Sequence, residues 1–340
     1  MKVEILTQSK LGPSLRPRRP YITSTITALA LTLSLCAPTQ ANTDYPDKPV
    51  NVIMPWTDGY PANSARIYAD ELSNRYKQTF VVQTKPGGGG EVAAKNVISA
   101  TPNGYTLLVT GSSITIRGVT DESNADGERD LQAIAQLTTS PYVIVSPAGR
   151  FDSFETFIKA AKAAPGKLNF ASAGVGTGMH YLGELINVHA DVDMIHIPYK
   201  SGSWQLQAAL AGDVDIAIIS LVTALPQIKA GKLDALAVSS LERSQVAVEI
   251  PTLKESGLTE IPAIGAWIAM FGPKNMEPEI IQTLSDQIAQ IASDPEVIKQ
   301  VNGWGAEIPD TSTAYLEEVI RTEKASWSQL ISEQNLPTGS

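Results

Sequence analysis

The sequence predicts an α/β protein of two domains, with mainly parallel sheets around a cleft for a ligand. Short apolar strands alternate with amphipathic helices over nearly the whole chain, a pattern typical of parallel sheets covered by helices. The roughly 300 residues that follow an N-terminal leader suffice for two domains of ordinary size. Loops rich in glycine and hydroxyl residues follow several strands, where open α/β sheets hold their ligands.

Residues 1–41 have the features of a secretory signal peptide. Five basic residues precede an apolar run from Ile22 to Cys36, and the small residue Ala41, two positions after Thr39, marks a cleavage site. The run is shorter than the roughly twenty residues of a membrane span, although a retained signal anchor is the alternative. Leu35 argues against lipid attachment at Cys36, which needs a small preceding residue. We therefore expect an exported protein.

Charge and cysteine content exclude several classes of function. The formal net charge is −9 and becomes −13 without residues 1–41, because that segment carries five basic residues and one acidic residue. This sign disfavours nucleic acid and anionic membranes as partners. The single cysteine, Cys36, lies in the leader, so the mature chain would have neither disulfides nor thiol catalysis.

The first domain is predicted to begin with three strands and two helices. Apolar residues at helical spacing from Ala65 to Tyr76 predict a helix with one buried face. The glycines Gly87–Gly90 predict a hinge that enters the next helix, and Pro102-Asn103-Gly104 predicts a turn. The other predicted elements here are strands Val50–Pro55, Phe80–Gln83 and Tyr105–Thr110 and helix Glu91–Ser99.

The second unit is predicted to start near Ser146 with a helix, Ser153–Ala163, that Ser153 caps. The elements that follow it are strands Lys167–Ser172, Asp193–Ile197, Val214–Ile219 and Leu233–Val238 and helices Thr177–Val188, Ser203–Ala211 and Val222–Ala230. Strand Ala266–Phe271 and helices around Ile281–Ile291 and Ala314–Ile331 complete the chain. We expect residues 42–145 and 250–340 to form one discontinuous domain and residues 146–249 to form the other.

Two loops of the first domain are candidates for the ligand site. The loop from Pro55 to Ser64 leads into a helix and would point unpaired N–H groups at the cleft; an ordinary turn is the alternative. The third strand delivers Gly111-Ser112-Ser113 to its carboxyl end, where N–H and hydroxyl groups hold small anions. Arg117, in an expected loop, offers a guanidinium for a carboxylate, or is a surface arginine.

The second domain offers two comparable loops. Glycines around Gly176 let the backbone approach a ligand, and Thr177 is positioned to cap the helix that follows. His180, in the first turn of that helix, is either a donor to the ligand or a packed histidine. Tyr199 and Lys200 follow the next strand and offer a hydroxyl and a cation, although a solvated lysine is the commoner case.

Patterns of enzymatic residues are absent from the sequence. The histidines His180, His189 and His196 lack the i, i+4 pairing of a helical metal site. Neither a Gly-X-Ser-X-Gly elbow nor a Walker-type loop occurs, and nothing in the sequence places a base beside a nucleophile. We therefore expect a binding protein without catalytic residues, metal or cofactor.

A series of short motifs runs in order over residues 45–335. They are Tyr45-Pro46-Asp47-Lys48-Pro49, Lys85-Pro86-Gly87-Gly88-Gly89-Gly90, Pro102-Asn103-Gly104-Tyr105-Thr106, Pro165-Gly166-Lys167-Leu168-Asn169-Phe170, Ile197-Pro198-Tyr199-Lys200, Gly212-Asp213-Val214-Asp215 and Ala224-Leu225-Pro226-Gln227-Ile228-Lys229-Ala230-Gly231-Lys232-Leu233. Together they resemble the Bug/TctC family, the periplasmic receptors of tripartite tricarboxylate transporters.

The resemblance implies a type II periplasmic-binding-protein fold that closes on a carboxylate-bearing solute in the periplasm. It implies that N–H groups, hydroxyls and ordered water hold the ligand. The family's contacts would fall on residues from Trp56 to Asn63, on Ser112, Ser113 and Thr115, and on Gly176, Thr177, His180 and Tyr199. A monomer working with membrane permease subunits is expected; a receptor for a sensor kinase and a secreted α/β enzyme are the alternatives.

Departures from the family pattern bear on the ligand. The first loop is shorter, carries Tyr60 and Asn63, and lacks the family's aspartate, while Ser220 stands where an aspartate is common. A less negative cleft argues against an amine-bearing ligand and leaves room for a second carboxylate. The large side chains of Trp56, Tyr60, Trp204 and Trp267 would form walls for a flat aromatic acid. Alternatively, they fill core or narrow the cleft for a small aliphatic acid.

Overall fold

The computed structural model describes residues 45–57 and 59–334 of the chain. The predicted signal peptide, residues 1–41, lies outside the described residues. None of the helices in the described residues has both the length and the apolar character that a membrane crossing requires.

All the predicted helices and strands are present, with ends that differ by a few residues. The strands are β1 (Val50–Met54), β2 (Phe80–Thr84), β3 (Thr106–Gly111), β4 (Leu131–Pro147), β5 (Asn169–Ser172), β6 (Ile195–Pro198), β7 (Ile216–Ser220), β8 (Leu233–Val238) and β9 (Gly265–Pro273). The helices are α1 (Gly59–Tyr76), α2 (Glu91–Ile98), α3 (Ser113–Thr120), α4 (Phe154–Ala163), α5 (Gly178–Ala190), α6 (Gly202–Ala211), α7 (Leu221–Lys229), α8 (Pro278–Ala292), α9 (Pro295–Gly303) and α10 (Thr313–Gln334). The sequence analysis missed β4, α3 and α9.

The strands form two half-sheets that share β4. The first has the order β2-β1-β3-β9-β4, and the second continues β4-β7-β5-β6, with β8 also paired to β4. Strands connected by helices are parallel, as predicted: β1 with β2 and β3, and β5 with β6 and β7. The expectation of mainly parallel sheets needs correction for β4 and β9, because every antiparallel pairing involves one of them.

Strand β4 passes from one half-sheet into the other. Residues Leu131–Pro141 pair with β9, and residues Tyr142–Pro147 pair with β7 or β8. Nearly all of its side chains are buried. Three polar residues interrupt the apolar pattern in the middle of this strand: Thr138, Thr139 and Ser140. The strand therefore lacks the continuous apolar run that predicts a buried strand.

Helices cover both faces of each half-sheet. In the first half, α1 and α8 pack on one face through Leu72 and Ile288, and α2 and α10 pack on the other. In the second half, α4 and α5 cover one face, and α6 and α7 cover the other. The carboxyl-terminal part of α10 contacts the second half, where the rings of Trp327 and Tyr181 lie 4.8 Å apart. Helix α10 therefore ties the two halves together.

Candidate ligand-binding site

The carboxyl ends of strands from the two half-sheets face each other across a short stretch of β4. Gly111, at the end of β3, is level with Ile268 of β9, which in turn pairs with Thr138 of β4. Ser220, at the end of β7, pairs with Tyr142. Only four residue steps along β4, from Thr138 to Tyr142, separate the two levels, about 13 Å at the rise of an extended strand. The helices that follow these strands, α3 and α7, therefore present their N-terminal N–H groups to one gap.

Tyr142 joins the two sides of this gap. Its hydroxyl faces the side chain of Ser112, just before α3, and burial raises the pKa of this phenol. The same oxygen lies 2.9 Å from the position that a β-carbon would take on Gly178, the first residue of α5. Only glycine at position 178 leaves room for this contact. Sequence reasoning missed Tyr142 because one aromatic residue in an apolar strand carries no signal of its own.

The first loop closes one end of the gap. The indole of Trp56 lies 3.5 Å from the position of a β-carbon on Gly111, so it covers the end of β3. The Tyr60 hydroxyl donates to Oγ1 of Thr138 at 2.9 Å, and Ser64 lies 3.0 Å from the same oxygen. Asn63 is on the exposed face of α1. The loop is thus anchored to β4 at the point where the strand leaves the first half-sheet.

Hydroxyl residues at the start of α3 divide into two groups. Ser112 and Ser113 are half-buried, and the Ser112 side chain does not cap the helix. Thr115 is fully buried and its hydroxyl faces the carboxylate of Glu323 on α10 without reaching hydrogen-bond distance. Ser112 and Ser113 are therefore in a position to meet a solute, whereas Thr115 points into the protein.

Arg117 lies within α3 rather than in the expected loop. Its Nη2 donates to Oδ1 of Asn124 at 2.9 Å. Its Nη1 lies 2.5 Å from the position of a β-carbon on Gly89, in a turn where all four glycines have positive φ. The glycine turn thus makes room for the guanidinium, which packs against the turn. Carboxylate binding by Arg117 stays a prediction.

The loop before α5 is internally bonded. Oγ1 of Thr177 donates to the carbonyl of Gly174 at 2.8 Å and accepts from the N–H of His180, so Thr177 caps the helix as predicted. The N–H of Gly176 donates to Nδ1 of His180 at 3.3 Å. A β-carbon on Gly176 would have no atom within 4 Å. His180 therefore shapes this loop as a packed histidine, and the half-buried Gly176 leaves open space beside the loop.

A serine beside a base is a feature that the sequence did not indicate. Oγ of Ser172 lies 2.6 Å from Nε2 of His196, whose ring stacks at 4.1 Å on that of His180. Burial and the neighbouring His180 lower the pKa of His196 to about 4. Ser172 is fully buried and also bonds Gly174, so the pair supports the loop. Within the described residues, no cluster of three His, Cys, Asp or Glu side chains is arranged to hold a metal ion.

The remaining predicted residues lie at different depths. Tyr199 is half-buried and its N–H donates to the carbonyl of Ser172 at 2.9 Å. Ser220 is buried, with its hydroxyl 3.2 Å from that of Ser140. Trp204 is 65% exposed on α6, and Trp267 is buried in the core beneath α10. Trp267 packs in a different core cluster from Trp56, so the four-sided aromatic wall is not formed.

A family model described as "Tripartite tricarboxylate transporter family receptor", TctC, matches residues 64–336. The chain belongs to the TctC family. The resemblance noted from the sequence is thereby confirmed.

Known TctC relatives match almost the full length of the chain. A UPF0065 protein in the tcbD–tcbE intergenic region of Pseudomonas sp. strain P51 is 30% identical, over 91% of this chain and 93% of its own. The protein BugT of Bordetella pertussis is 29% identical, over 89% and 94%. The structure of MatC from Rhodopseudomonas palustris with bound malate is 25% identical and superposes with a TM-score of 0.72, over 84% of this chain and 100% of that one. The family and its structures are those of solute-binding proteins.

Proposed function

We propose that this protein is a periplasmic receptor that binds a small aliphatic dicarboxylate in the gap between its half-sheets. The observation that carries the proposal is the position of the Tyr142 hydroxyl, which touches the start of α5 and faces Ser112 at the start of α3. It places the N-terminus of α5 beside that of α3 at the gap, each with unpaired N–H groups and a partial positive charge. A ligand with a carboxylate at each end matches that arrangement.

The side chains around the gap favour such a ligand on two further grounds. Ser220 provides a hydroxyl where an aspartate would repel a second carboxylate. The absence of Trp267 from the gap removes one wall of an aromatic pocket and favours an aliphatic acid. The malate bound to MatC, a relative of the same fold, is an acid of this class.

Delivery to the permease of a tripartite tricarboxylate transporter is the role that family membership supports. In this role the receptor captures its solute outside the cytoplasmic membrane and releases it to the membrane subunits. Domain closure would desolvate the bound acid and strengthen its hydrogen bonds to the helix N-termini.

Calorimetric titration with malate, succinate and benzoate tests the proposal. We expect saturable binding of malate and succinate. Both acids should be recovered chemically unchanged after incubation with the protein. Replacing Tyr142 by Phe removes the hydroxyl between the two sides and should weaken malate binding roughly tenfold. The matched control is Tyr315→Phe, at an exposed tyrosine of α10, which should leave the affinity unchanged.

Three results would contradict the proposal. They are the absence of binding by every organic acid tested, equal affinity of the Tyr142→Phe variant and the parent, and turnover of the bound acid, which would favour an enzyme.

A further inference from the structure

A cavity lies between α10 and the loops before β9, and Thr139 and Pro141 of β4 form its border with the proposed dicarboxylate site. Its volume is about 990 Å³, within the usual range for small-molecule sites. Gln136 and Trp267 line its inner part, while Leu185, Leu241 and Leu330 supply apolar surface. The cavity therefore offers an apolar body with a polar inner end.

The charges around this cavity are mostly negative. Its lining includes six carboxylates: Glu242, Glu260, Glu307, Glu318, Glu323 and Glu333. The single arginine of the lining, Arg243, is held by Glu255, which lies outside the cavity. Among the described residues that line the cavity there is no lysine. Such a field attracts cations and repels the acids proposed for the other site.

One buried acceptor of the cavity lining lacks the donor that it needs. The side chain of Gln136 is 2% exposed, and its Oε1 has no hydrogen-bond partner in the described part of the chain. Glu323 accepts one hydrogen bond, from Nε1 of Trp267 at 3.0 Å, and Thr115 and Trp327 face the same carboxylate from beyond hydrogen-bond distance. A buried acceptor without a donor costs stability, so this is an unusual feature that calls for a ligand with donors.

We propose that this cavity binds an aliphatic polyamine, with one primary ammonium at Gln136 and Glu323 and another at the carboxylates of the rim. An ammonium group has three N–H donors and a positive charge, as these acceptors require. The methylene chain of a polyamine matches the leucine side chains between the inner end and the rim. The indole rings of Trp267 and Trp327 add faces that attract cations.

Calorimetry with spermidine, putrescine and butylamine at low salt tests this site on the mature protein. We expect spermidine to bind most tightly, because it places charges at both ends of the cavity, and butylamine most weakly. Added salt should weaken spermidine binding. Gln136→Met keeps the size of the side chain but removes the acceptor, and should weaken spermidine binding tenfold or more.

A rim variant and a matched control make the test specific. The double change Glu242→Gln and Glu260→Gln should weaken spermidine binding and reduce its dependence on salt. Glu279→Gln, at an exposed position of α8 away from the cavity, removes a similar charge and should change nothing. Thermal unfolding of each variant verifies its folding, since Gln136→Met removes an unsatisfied polar atom and should not destabilise the protein.

The outcomes are distinct from those of the dicarboxylate titration. Lack of saturable spermidine binding, or equal effects of Gln136→Met and Glu279→Gln, would overturn the polyamine site whatever malate does. Binding that appears only after removal of residues 335–340 would overturn it as well, because the chain's own carboxyl-terminal segment would then be the occupant.

Discussion

Nε1 of Trp267 donates a hydrogen bond of 3.0 Å to Oε2 of Glu323, and so couples β9 to α10 at the junction of the two half-sheets. Burial raises the pKa of this carboxyl to about 7, although the indole of Trp267 opposes the shift. Thr115 and Trp327 face the same carboxylate without satisfying it. Glu323 is therefore a group whose ionisation costs the folded state free energy.

Glu323→Gln should stabilise the protein at alkaline pH. The carboxyl loses its proton at about 4.5 in the unfolded chain and at about 7 in the folded one, so the parent loses stability as the pH rises between these values. Glutamine is neutral and still accepts from Trp267. We expect the variant to be about 1–3 kcal/mol more stable at pH 8.5 and to show no such gain at pH 4.5. Denaturant unfolding at both values measures this difference; a gain that is independent of pH would contradict it.

Gly178→Ala should destabilise the protein because its new β-carbon would collide with the side chain of Tyr142. The new β-carbon would lie 2.9 Å from Oη of Tyr142 and 3.1 Å from its ring. We expect a cost of about 1–3 kcal/mol, as for overpacking of a core. Tyr142→Phe removes the closest atom, so adding Gly178→Ala to that variant should cost clearly less. Equal costs in the two backgrounds, measured as a double-mutant cycle, would show that the contact does not set the restriction.

Gly183→Ala should be more damaging, although alanine is the better helix former. Its β-carbon would lie 2.1 Å from Cε2 of the buried Phe170, so α5 would move away from β5. Gly303→Ala, in α9 with no atom within 4 Å of the new carbon, is the matched control. We expect a loss of about 2 kcal/mol or more for Gly183→Ala and a gain of up to about 1 kcal/mol for the control. Urea unfolding compares the two; similar values would refute the tight packing of α5.

His196→Gln should make the protein less sensitive to acid. Histidine takes up a proton near its ordinary pKa of 6.5 when unfolded, but burial and His180 lower the pKa of folded His196 to about 4. The parent therefore loses stability as the pH falls from 6.5 towards 4. Glutamine retains a donor for Ser172 and does not titrate. Thermal unfolding at pH 7.5 and 5 should show a smaller decrease for the variant, and an equal decrease would rule out this linkage.

Local sequence patterns were sufficient for most of the fold. The alternation of apolar strands with amphipathic helices, and the cap at Ser153, have causes that lie within a few residues. Strand β4 escaped detection because its polar centre becomes buried only by pairing with β9, more than a hundred residues later. Helix α3 is eight residues long and rich in β-branched residues, which weaken a helical signal.

Sequence patterns predicted the site only at loops whose residue types are themselves typical of ligand-binding loops. Glycines and hydroxyls at strand ends indicated the loop after β3 and the start of α5, because those residue types act locally. The contacts that complete the site, such as Tyr142 with Gly178 and Ser172 with His196, join residues that no spacing rule connects. The placement of Arg117 depended likewise on the distant turn at Gly89.

Strand β4 belongs to both half-sheets, and this affects how the protein unfolds. Each half-sheet would lose one of its strands if the other half melted and pulled β4 out of register. The backbone N–H and C=O groups of β9 or of β7 and β8 would then lose their partners. Both halves should therefore denature cooperatively, in one calorimetric transition, instead of unfolding independently in two transitions.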